Sequence, residues 1–266
     1  MRKRQSPKRK QSKKREQAQK PEPQIEEVTR ETSSIEEHAN VLFKPNPGPQ
    51  TEFLAASERE VLYGGSAGGG KSYAMLADPL RYMGHPQFSG LLLRHTTEEL
   101  RELIFKSQEL YPKIWPGIKW SERKMQWTAP SGARLWMSYL DRDEDVLRYQ
   151  GLAFSWIGFD ELTQWATPYA WNYMRSRLRS TAPDLPIFMR ATTNPGGRGH
   201  QWVKKMFIDP APYNRSFDAT DSETGEVLRY PYGHSKAGKP LFKRRFIPAR
   251  LSDNPYLADA GDYEAM

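Results

Sequence analysis

The 266-residue sequence contains no cysteine, which excludes disulfide bonds, thiolate metal sites and cysteine-based catalysis. It also lacks an apolar run of about 18 residues, the length that a membrane-spanning helix needs. The charged N-terminus has no apolar core of the kind found in secretion signals, and the five histidines show no paired metal-ligand spacing. The length suits one large domain, alone or with tails, and the lack of cysteine fits a reducing cytosol.

Charge is unevenly distributed along the chain. Residues 1–20 carry ten Lys or Arg and one acid, a charge of +9, whereas the other residues carry 30 basic and 31 acidic side chains, a charge of −1. We therefore expect the basicity to belong to the tail and the folded body to be nearly neutral. Because residues 1–40 are almost without apolar side chains, they cannot offset the entropy of ordering, and the sequence predicts a disordered basic N-terminal tail.

Two interpretations of this tail remain open. It is either a solvated charge run or an arm that binds a polyanion, for which DNA is our hypothesis. Deleting residues 1–20 should lower the salt dependence of DNA binding if the tail contacts phosphates, and should leave it unchanged if the tail is only solvated.

A glycine-rich loop follows an apolar stretch at residues 61–63 and precedes a segment compatible with a helix. It has the pattern G-x-x-x-x-G-K-S, and backbone N–H groups in such a loop curl around phosphate oxygens at a helix N-terminus. In this pattern the lysine reaches the β- and γ-phosphates and the serine hydroxyl ligates Mg²⁺. A chance glycine-rich turn is the alternative, and the strand-loop-helix context disfavours it. The residues predicted to bind the nucleotide here are Gly65, Ser66, Ala67, Gly68, Gly69, Gly70, Lys71 and Ser72.

Apolar runs alternate with helical patterns through the rest of the chain. The predicted strands are 60–63, 90–94, 154–159 and 186–191, with an antiparallel group at 118–120, 124–128 and 133–138 and two weak strands within 209–250. The predicted helices are 51–56, 72–83, 97–110, 168–179 and 200–207, and the proline-rich residues 43–50 are expected to be extended. This alternation predicts a three-layer α/β domain with a mainly parallel sheet. For the tryptophans of the antiparallel group, core packing is favoured over a base-stacking platform.

An acidic pair, Asp160 and Glu161, closes the apolar run 154–159. At the carboxyl end of a parallel strand these side chains would face the ligand crevice. An aspartate there can hold Mg²⁺ and a neighbouring glutamate can activate the water that attacks the γ-phosphate, so the pair indicates hydrolysis. The alternative is a helix N-cap with no role in chemistry.

The next predicted strand ends in Thr192-Thr193-Asn194-Pro195. Thr193 and Asn194 could hydrogen-bond the γ-phosphate and report its loss. A simple turn built from good turn residues is the alternative.

Together these segments resemble the ATPase domain of large terminase subunits, the DNA-packaging motors of tailed bacteriophages. The resemblance covers residues 42–257. Besides the three motifs above, it includes the segments 91–94, 149–151, 162–165 and 246–257 and the proline-rich stretch before Gln50, which looks like the family's adenine-recognising segment.

The resemblance implies a P-loop NTPase fold of the RecA-like (ASCE) class and an ATP-driven ring that threads double-stranded DNA into a capsid. It implies ATP and Mg²⁺ as ligands, DNA, a portal protein and a small terminase subunit as partners, a homo-oligomeric ring, and the bacterial host cytoplasm as location. We expect a tail at 1–40, the ATPase domain at 41–250 and the start of a linker at 251–266. Because the family's C-terminal nuclease has no counterpart before Met266, no nuclease activity is expected.

Some motors of this class carry an arginine inside the phosphate loop, and this loop has none. A charge-stabilising arginine must then come from elsewhere, for example from a neighbouring subunit. Arg148 is the candidate, with Arg94 and Arg142 as alternatives. Two other functions remain open for the whole chain: a helicase-like ATPase, and a DNA-binding adaptor that binds ATP without hydrolysing it.

Overall fold

The structure is a computed structural model that describes residues 43–66 and 68–253. The predicted tail (1–40), Ala67 of the glycine loop and the part of the predicted linker after Asp253 lie outside these residues. The α-helices are α1 (Pro49–Ala55), α2 (Lys71–Ala77), α3 (Thr97–Ile114), α4 (Tyr169–Arg175) and α5 (His200–Val203). Short 3-10 segments cover Asp78–Tyr82, Asp143–Tyr149, Leu162–Gln164 and Leu251–Asp253, and a π-helical turn covers Lys204–Ile208.

The described residues form one nine-stranded sheet. Its strands are β1 (Glu60–Gly65), β2 (Ser89–Arg94), β3 (Lys119–Ser121), β4 (Gln126–Thr128), β5 (Arg134–Tyr139), β6 (Trp156–Phe159), β7 (Phe188–Thr193), β8 (Ser216–Asp218) and β9 (Lys243–Ala249). The spatial order is β3-β4-β5-β2-β6-β7-β1-β9-β8. The six central strands, β5 to β9 in this order, are parallel, and β3, β4 and β8 add antiparallel edges.

Both faces of the sheet are covered by helices. In β2, Leu92 packs into the cluster that contains residues of α2 and α3, whereas Leu91 and Leu93 pack into the cluster that contains residues of α4 and the 200–208 segment. All three leucines are fully buried, as expected for a parallel strand between two helical layers. The predicted three-layer α/β fold with a mainly parallel sheet is therefore confirmed.

Two proline effects differ from the sequence prediction. Gln50 was expected in an extended segment, but α1 begins at Pro49, because proline fits the first turn of a helix, where its missing N–H needs no partner. The helix predicted for 72–83 is α-helical only to Ala77 and continues as a 3-10 segment. Pro79 explains this change, because it cannot supply the backbone N–H of a regular α-helical hydrogen bond.

Two weak strands were predicted within 209–250, and two strands, β8 and β9, are present there, although β9 is not a weak strand. This strand pairs with β1 over six residues and lies inside the sheet, although it begins with three consecutive cations at 243–245. The central one, Arg244, is fully buried and its guanidinium bonds Glu60 of β1, with Nη2 2.7 Å and Nε 2.9 Å from the carboxylate. The ion pair makes a charged residue compatible with an interior strand.

The expectation of a near-neutral folded body was also wrong. Residues 43–253 contain 29 Lys and Arg against 22 Asp and Glu, a net charge of +7. The earlier value of −1 arose because acidic residues in 21–42 and 254–266 were counted together with the body. The folded body is therefore itself basic, and its net charge favours negatively charged partners.

Candidate phosphate-binding and catalytic site

The phosphate loop lies between the carboxyl end of β1 and the start of α2. Gly65 has φ +144, and a Cβ at this position would lie 1.9 Å from the carbonyl oxygen of Ala249, so only glycine fits. The backbone N–H of Ser66 donates to the same oxygen over 3.0 Å. Lys71 Nζ donates to the Ser66 carbonyl oxygen over 2.6 Å, which folds the lysine back over the loop.

Gln50 is buried against the opposite end of the same loop. Its Nε2 donates to the Gly70 carbonyl oxygen over 2.9 Å, and its Oε1 accepts from the Asn46 backbone N–H over 2.6 Å. A second tie comes from Tyr63, whose hydroxyl donates to the Gly69 carbonyl oxygen over 2.8 Å. Gln50 and Tyr63 therefore fix the loop. The Gln50 amide keeps a second N–H and a second acceptor lone pair, which an adenine base could use. Its contact with adenine stays a prediction.

The acidic pair follows β6, and β7 lies between β6 and β1. Asp160 is 1% exposed, and its Oδ1 accepts a short hydrogen bond from the Thr192 hydroxyl. Its Oδ2 lies 3.0 Å from Nε of Arg94, which is also buried, at the end of β2. Neither of these last two atoms has a hydrogen-bond partner among the described residues, so they form an ion pair without hydrogen-bond alignment.

Glu161 has a left-handed backbone, with φ 61 and ψ 54, which is uncommon for a residue other than glycine and costs energy that the surroundings must offset. Two contacts to β7 and its end hold it. Its N–H donates to Thr192 Oγ1 over 3.0 Å, and its Oε1 accepts from Asn194 Nδ2 over 2.8 Å. These bonds aim the carboxylate towards the end of β7 rather than into solvent.

The charges of Lys71 and Glu161 influence each other's pKa, and the charge of Asp160 influences both. Burial lowers the pKa of Lys71 below its ordinary value, and the carboxylates of Glu161 and Asp160 oppose this shift. Burial raises the pKa of Glu161 and Asp160 adds to the rise, whereas Arg94 and Lys71 oppose it. Lys71 therefore lies close enough to Asp160 and Glu161 to interact with their charges, as the sequence prediction of a common site requires.

Thr193 and Asn194 point to different partners. The Thr193 hydroxyl lies 3.1 Å from Thr163 Oγ1, in the 3-10 segment after the acidic pair, whereas the Asn194 side chain reaches Glu161. Thr192, which was not among the predicted site residues, contacts both Asp160 and the Glu161 backbone. The sequence could have indicated Thr192, because it is the first of three consecutive polar residues, 192–194, that follow the predicted strand.

The residues present fit a magnesium ion. Mg²⁺ usually takes one or two carboxylates together with substrate phosphates and water, rather than a cage made only of protein ligands. Asp160 Oδ2 is a buried carboxylate oxygen that lies 3.0 Å from Arg94 Nε but has no hydrogen bond among the described residues. Ser72 follows Lys71 in the first turn of α2. Accordingly, residues 43–66 and 68–253 contain no cluster of three or more His, Asp or Glu that could hold a metal alone.

The three candidate arginines occupy different places. Arg94 lies on Asp160. Arg148 is exposed, donates to the Tyr139 carbonyl oxygen over 2.8 Å and lies 3.4 Å from Asp145. Arg142 is exposed just before the 3-10 segment Asp143–Tyr149. Of the three, Arg94 contacts the acidic pair of its own chain, whereas Arg148 contacts the end of β5 and the 3-10 segment that follows it.

Comparison with known proteins assigns the family. A sequence profile described as "Phage terminase large subunit" matches residues 57–238, more than half of the chain. The chain belongs to this terminase family. A search of curated proteins found no match.

Solved terminase structures share the fold. The large terminase of a thermophilic bacteriophage matches with a TM-score of 0.54 at 16% identity, over 82% of this chain and 50% of that one. A crystal form of the same protein in complex with ADP matches with a TM-score of 0.51 at 14% identity, over 84% of this chain and 49% of that one. The large terminase ATPase domain of Thermus phage P74-26 matches with a TM-score of 0.50 at 13% identity, over 84% of this chain and 91% of that one. This terminase chain therefore spans about half the length of the first of these proteins. None of its helices in 43–66 and 68–253 is long and apolar enough to cross a membrane.

Proposed function

We propose that this terminase chain is an ATP-hydrolysing motor subunit that drives double-stranded DNA into a viral capsid. The observation that carries the proposal is the placement of Glu161, whose carboxylate is held by Asn194 within electrostatic reach of Lys71. A subunit that only bound nucleotide would have no need for a strained glutamate beside the phosphate loop. A terminase with the same fold has been solved in complex with ADP, which supports nucleotide binding by this chain.

Each group has a role that follows from its chemistry. Lys71 and the backbone of residues 65–72 would bind the phosphates, and Ser72 and Asp160 would hold magnesium. When bound, magnesium supplies positive charge that offsets the developing charge on the phosphate oxygens. Glu161 would orient and deprotonate the attacking water, and Asn194 holds its carboxylate for this purpose. Gln50 would contact adenine, and Thr193 with Asn194 would respond to loss of the γ-phosphate.

The wider assignment extends the proposal to the whole chain. Residues 41–250 would be the ATPase domain, 1–40 a basic arm and 251–266 the start of a linker. The partners would be DNA, a portal protein, a small terminase subunit and further copies of the chain in a ring, in the cytoplasm of the bacterial host.

The decisive experiment is the substitution Glu161→Gln. We expect it to abolish steady-state phosphate release, with turnover reduced by several orders of magnitude, because the amide cannot accept a proton from water. Binding of a fluorescent ATP analogue should persist, because glutamine can still accept the Asn194 hydrogen bond.

The matched control is Glu144→Gln, which removes a carboxylate from an exposed position and should leave turnover unchanged. Wild-type chain that binds ATP but releases no phosphate, with DNA and empty capsids present, would instead support the non-hydrolysing adaptor. Nothing in the fold or the comparisons favours the helicase-like alternative.

A further inference from the structure

The chain between β8 and β9 forms a small antiparallel unit, which we call the 219–242 unit. Its middle strand, 227–230, is paired on both sides: Leu228 N–H donates to the Ala219 carbonyl oxygen over 2.8 Å, and Tyr230 N–H to that of Lys239 over 3.0 Å. Isolated bridges join Thr220 to Val227 and Arg229 to Pro240. The unit therefore has two turns, 221–226 and 231–238, at opposite ends of the middle strand.

The two turns carry opposite charges. Turn 221–226 contains Asp221, Glu223 and Glu226, whereas Arg229, Lys236 and Lys239 surround turn 231–238, and residues 227–252 include no acid. The four-residue middle strand separates the turns by about 13 Å, at about 3.3 Å per residue. Because the Debye length is about 8 Å at physiological salt, the acidic turn is largely screened from the basic one.

The cations of the basic turn are unengaged by carboxylates, unlike several others on the surface. Lys204 pairs with Asp209, and Lys243 pairs with Asp218. Among residues 43–66 and 68–253, neither Lys236 nor Lys239 forms an ion pair with an acid. Their positive charge is therefore available to an external anion.

The turn is also ordered by its own hydrogen bonds. Gly238 N–H donates to the Tyr230 carbonyl oxygen over 3.1 Å, and Arg229 Nη1 to the Gly238 carbonyl oxygen over 2.8 Å. The Tyr230 ring stacks on His234 at 4.5 Å, and residues 231–240 are all exposed, with Tyr232 fully so. An ordered, cationic turn with an exposed tyrosine hydroxyl presents the groups that contact phosphates in nucleic-acid complexes.

We propose that turn 231–238, with Lys236, Lys239 and Tyr232, is a contact surface for the phosphate backbone of duplex DNA. This inference rests on the proposed function, since it gives a DNA-moving chain one of its DNA contacts. The contact is independent of base sequence, because cations and a hydroxyl on a turn read charge rather than base edges.

The test compares two double variants of the full chain. One is Lys236→Ala with Lys239→Ala. The control is Arg123→Ala with Lys124→Ala, which removes the same charge from exposed positions in the β3–β4 turn at the other edge of the sheet. Affinity for a short duplex of mixed sequence is measured across a salt series, and thermal unfolding verifies that all chains are folded.

We expect the turn variant to reduce the slope of log affinity against log salt by about 2, since each lost phosphate contact removes about 0.9. The control should leave the slope unchanged. Equal changes in both variants would mean a general effect of net charge and would overturn the proposal, as would an unchanged slope or no duplex binding by the wild-type chain. Phosphate release is measured on the same preparations, so Glu161-dependent turnover with an unchanged slope would refute this surface and leave the motor assignment standing.

Discussion

At the scale of single residues, three features of the structure converge on Glu161, the proposed general base. A left-handed backbone, a hydrogen bond from Asn194 and a pKa raised by burial all act on the same carboxyl group. A raised pKa brings a carboxylate closer to the operating pH, where a general base is most effective. The backbone strain and the burial of Glu161 therefore both fit its proposed role as a base.

The pH dependence of ATP hydrolysis tests this arrangement. Glu161 must be ionised to act as a base, so the acid limb of kcat/KM should lie above the ordinary glutamate value of 4.5. Asn194→Ala removes a hydrogen bond that favours the ionised form, so the limb should move to still higher pH. Asn172→Ala, which removes a contact to Ser222 away from the site, should leave the limb in place. A limb that Asn194→Ala does not move would contradict the role given to this amide.

The residue types of the site could be predicted from sequence, whereas their pairings could not. The loop pattern and the acidic pair made Lys71, Asp160 and Glu161 candidates, because these chemistries depend on fixed local spacing. The contacts of Thr192 and Arg94 with Asp160 arise from the order of β2, β6 and β7 in the sheet. Strand order is a long-range property that a local pattern does not encode.

At the scale of elements, a strand was predicted near β9, but its length and its place between β1 and β8 were not. The strand begins with the three cations Lys243, Arg244 and Arg245, of which Arg244 is fully buried against Glu60. Arg175 of α4 contacts the same carboxylate at 2.5 Å. Sequence reasoning predicted four central strands, β1, β2, β6 and β7, because their apolar residues indicate burial. The burial of Arg244 in β9 depends instead on Glu60, a partner 184 residues away in the chain.

Substituting Glu60 tests how much this ion cluster contributes. Burial alone would raise the Glu60 pKa, but Arg175 and Arg244 bring it below its ordinary 4.5. At neutral pH, Glu60→Gln should lower the free energy of unfolding by about 3–5 kcal/mol, because it leaves buried cations unpaired. Urea denaturation measures the difference.

The control is Glu52→Gln, which breaks a partly exposed pair with Arg245 and should cost below about 1 kcal/mol. The sign of the pH effect is fixed by the lowered pKa. The stabilisation from Glu60 is complete above its unfolded pKa and is lost as pH falls through the folded one, so the gap between wild type and Glu60→Gln should narrow below pH 4.5. A gap that widened in acid would contradict the ion-pair explanation.

At the scale of the whole molecule, the open question is whether sites are completed between chains. Arg94 lies in the site of its own chain, whereas the described contacts of Arg148 lie away from the acidic pair. Mixing inactive Glu161→Gln and Arg148→Ala chains should therefore restore ATPase activity if Arg148 acts on a neighbour, because a site can combine an intact glutamate with an intact arginine.

Mixing Glu161→Gln with Arg94→Ala is the matched experiment. It should restore nothing, because each site would then keep the lesion of its own chain. Recovery in the Arg94 mixture, or none in the Arg148 mixture, would count against the assignment of Arg148 as the arginine supplied in trans.

The seating of the phosphate loop on β9 has a mechanical consequence. β1 and β9 run side by side in the same direction over six paired residues, and the Ser66 N–H bonds the Ala249 oxygen where β9 ends. Tension applied at Ala249 along the axis of β9 would load all of these bonds together in shear instead of breaking them one after another. The phosphate loop and the end of β9 would then move together, so a displacement at either would be transmitted to the other.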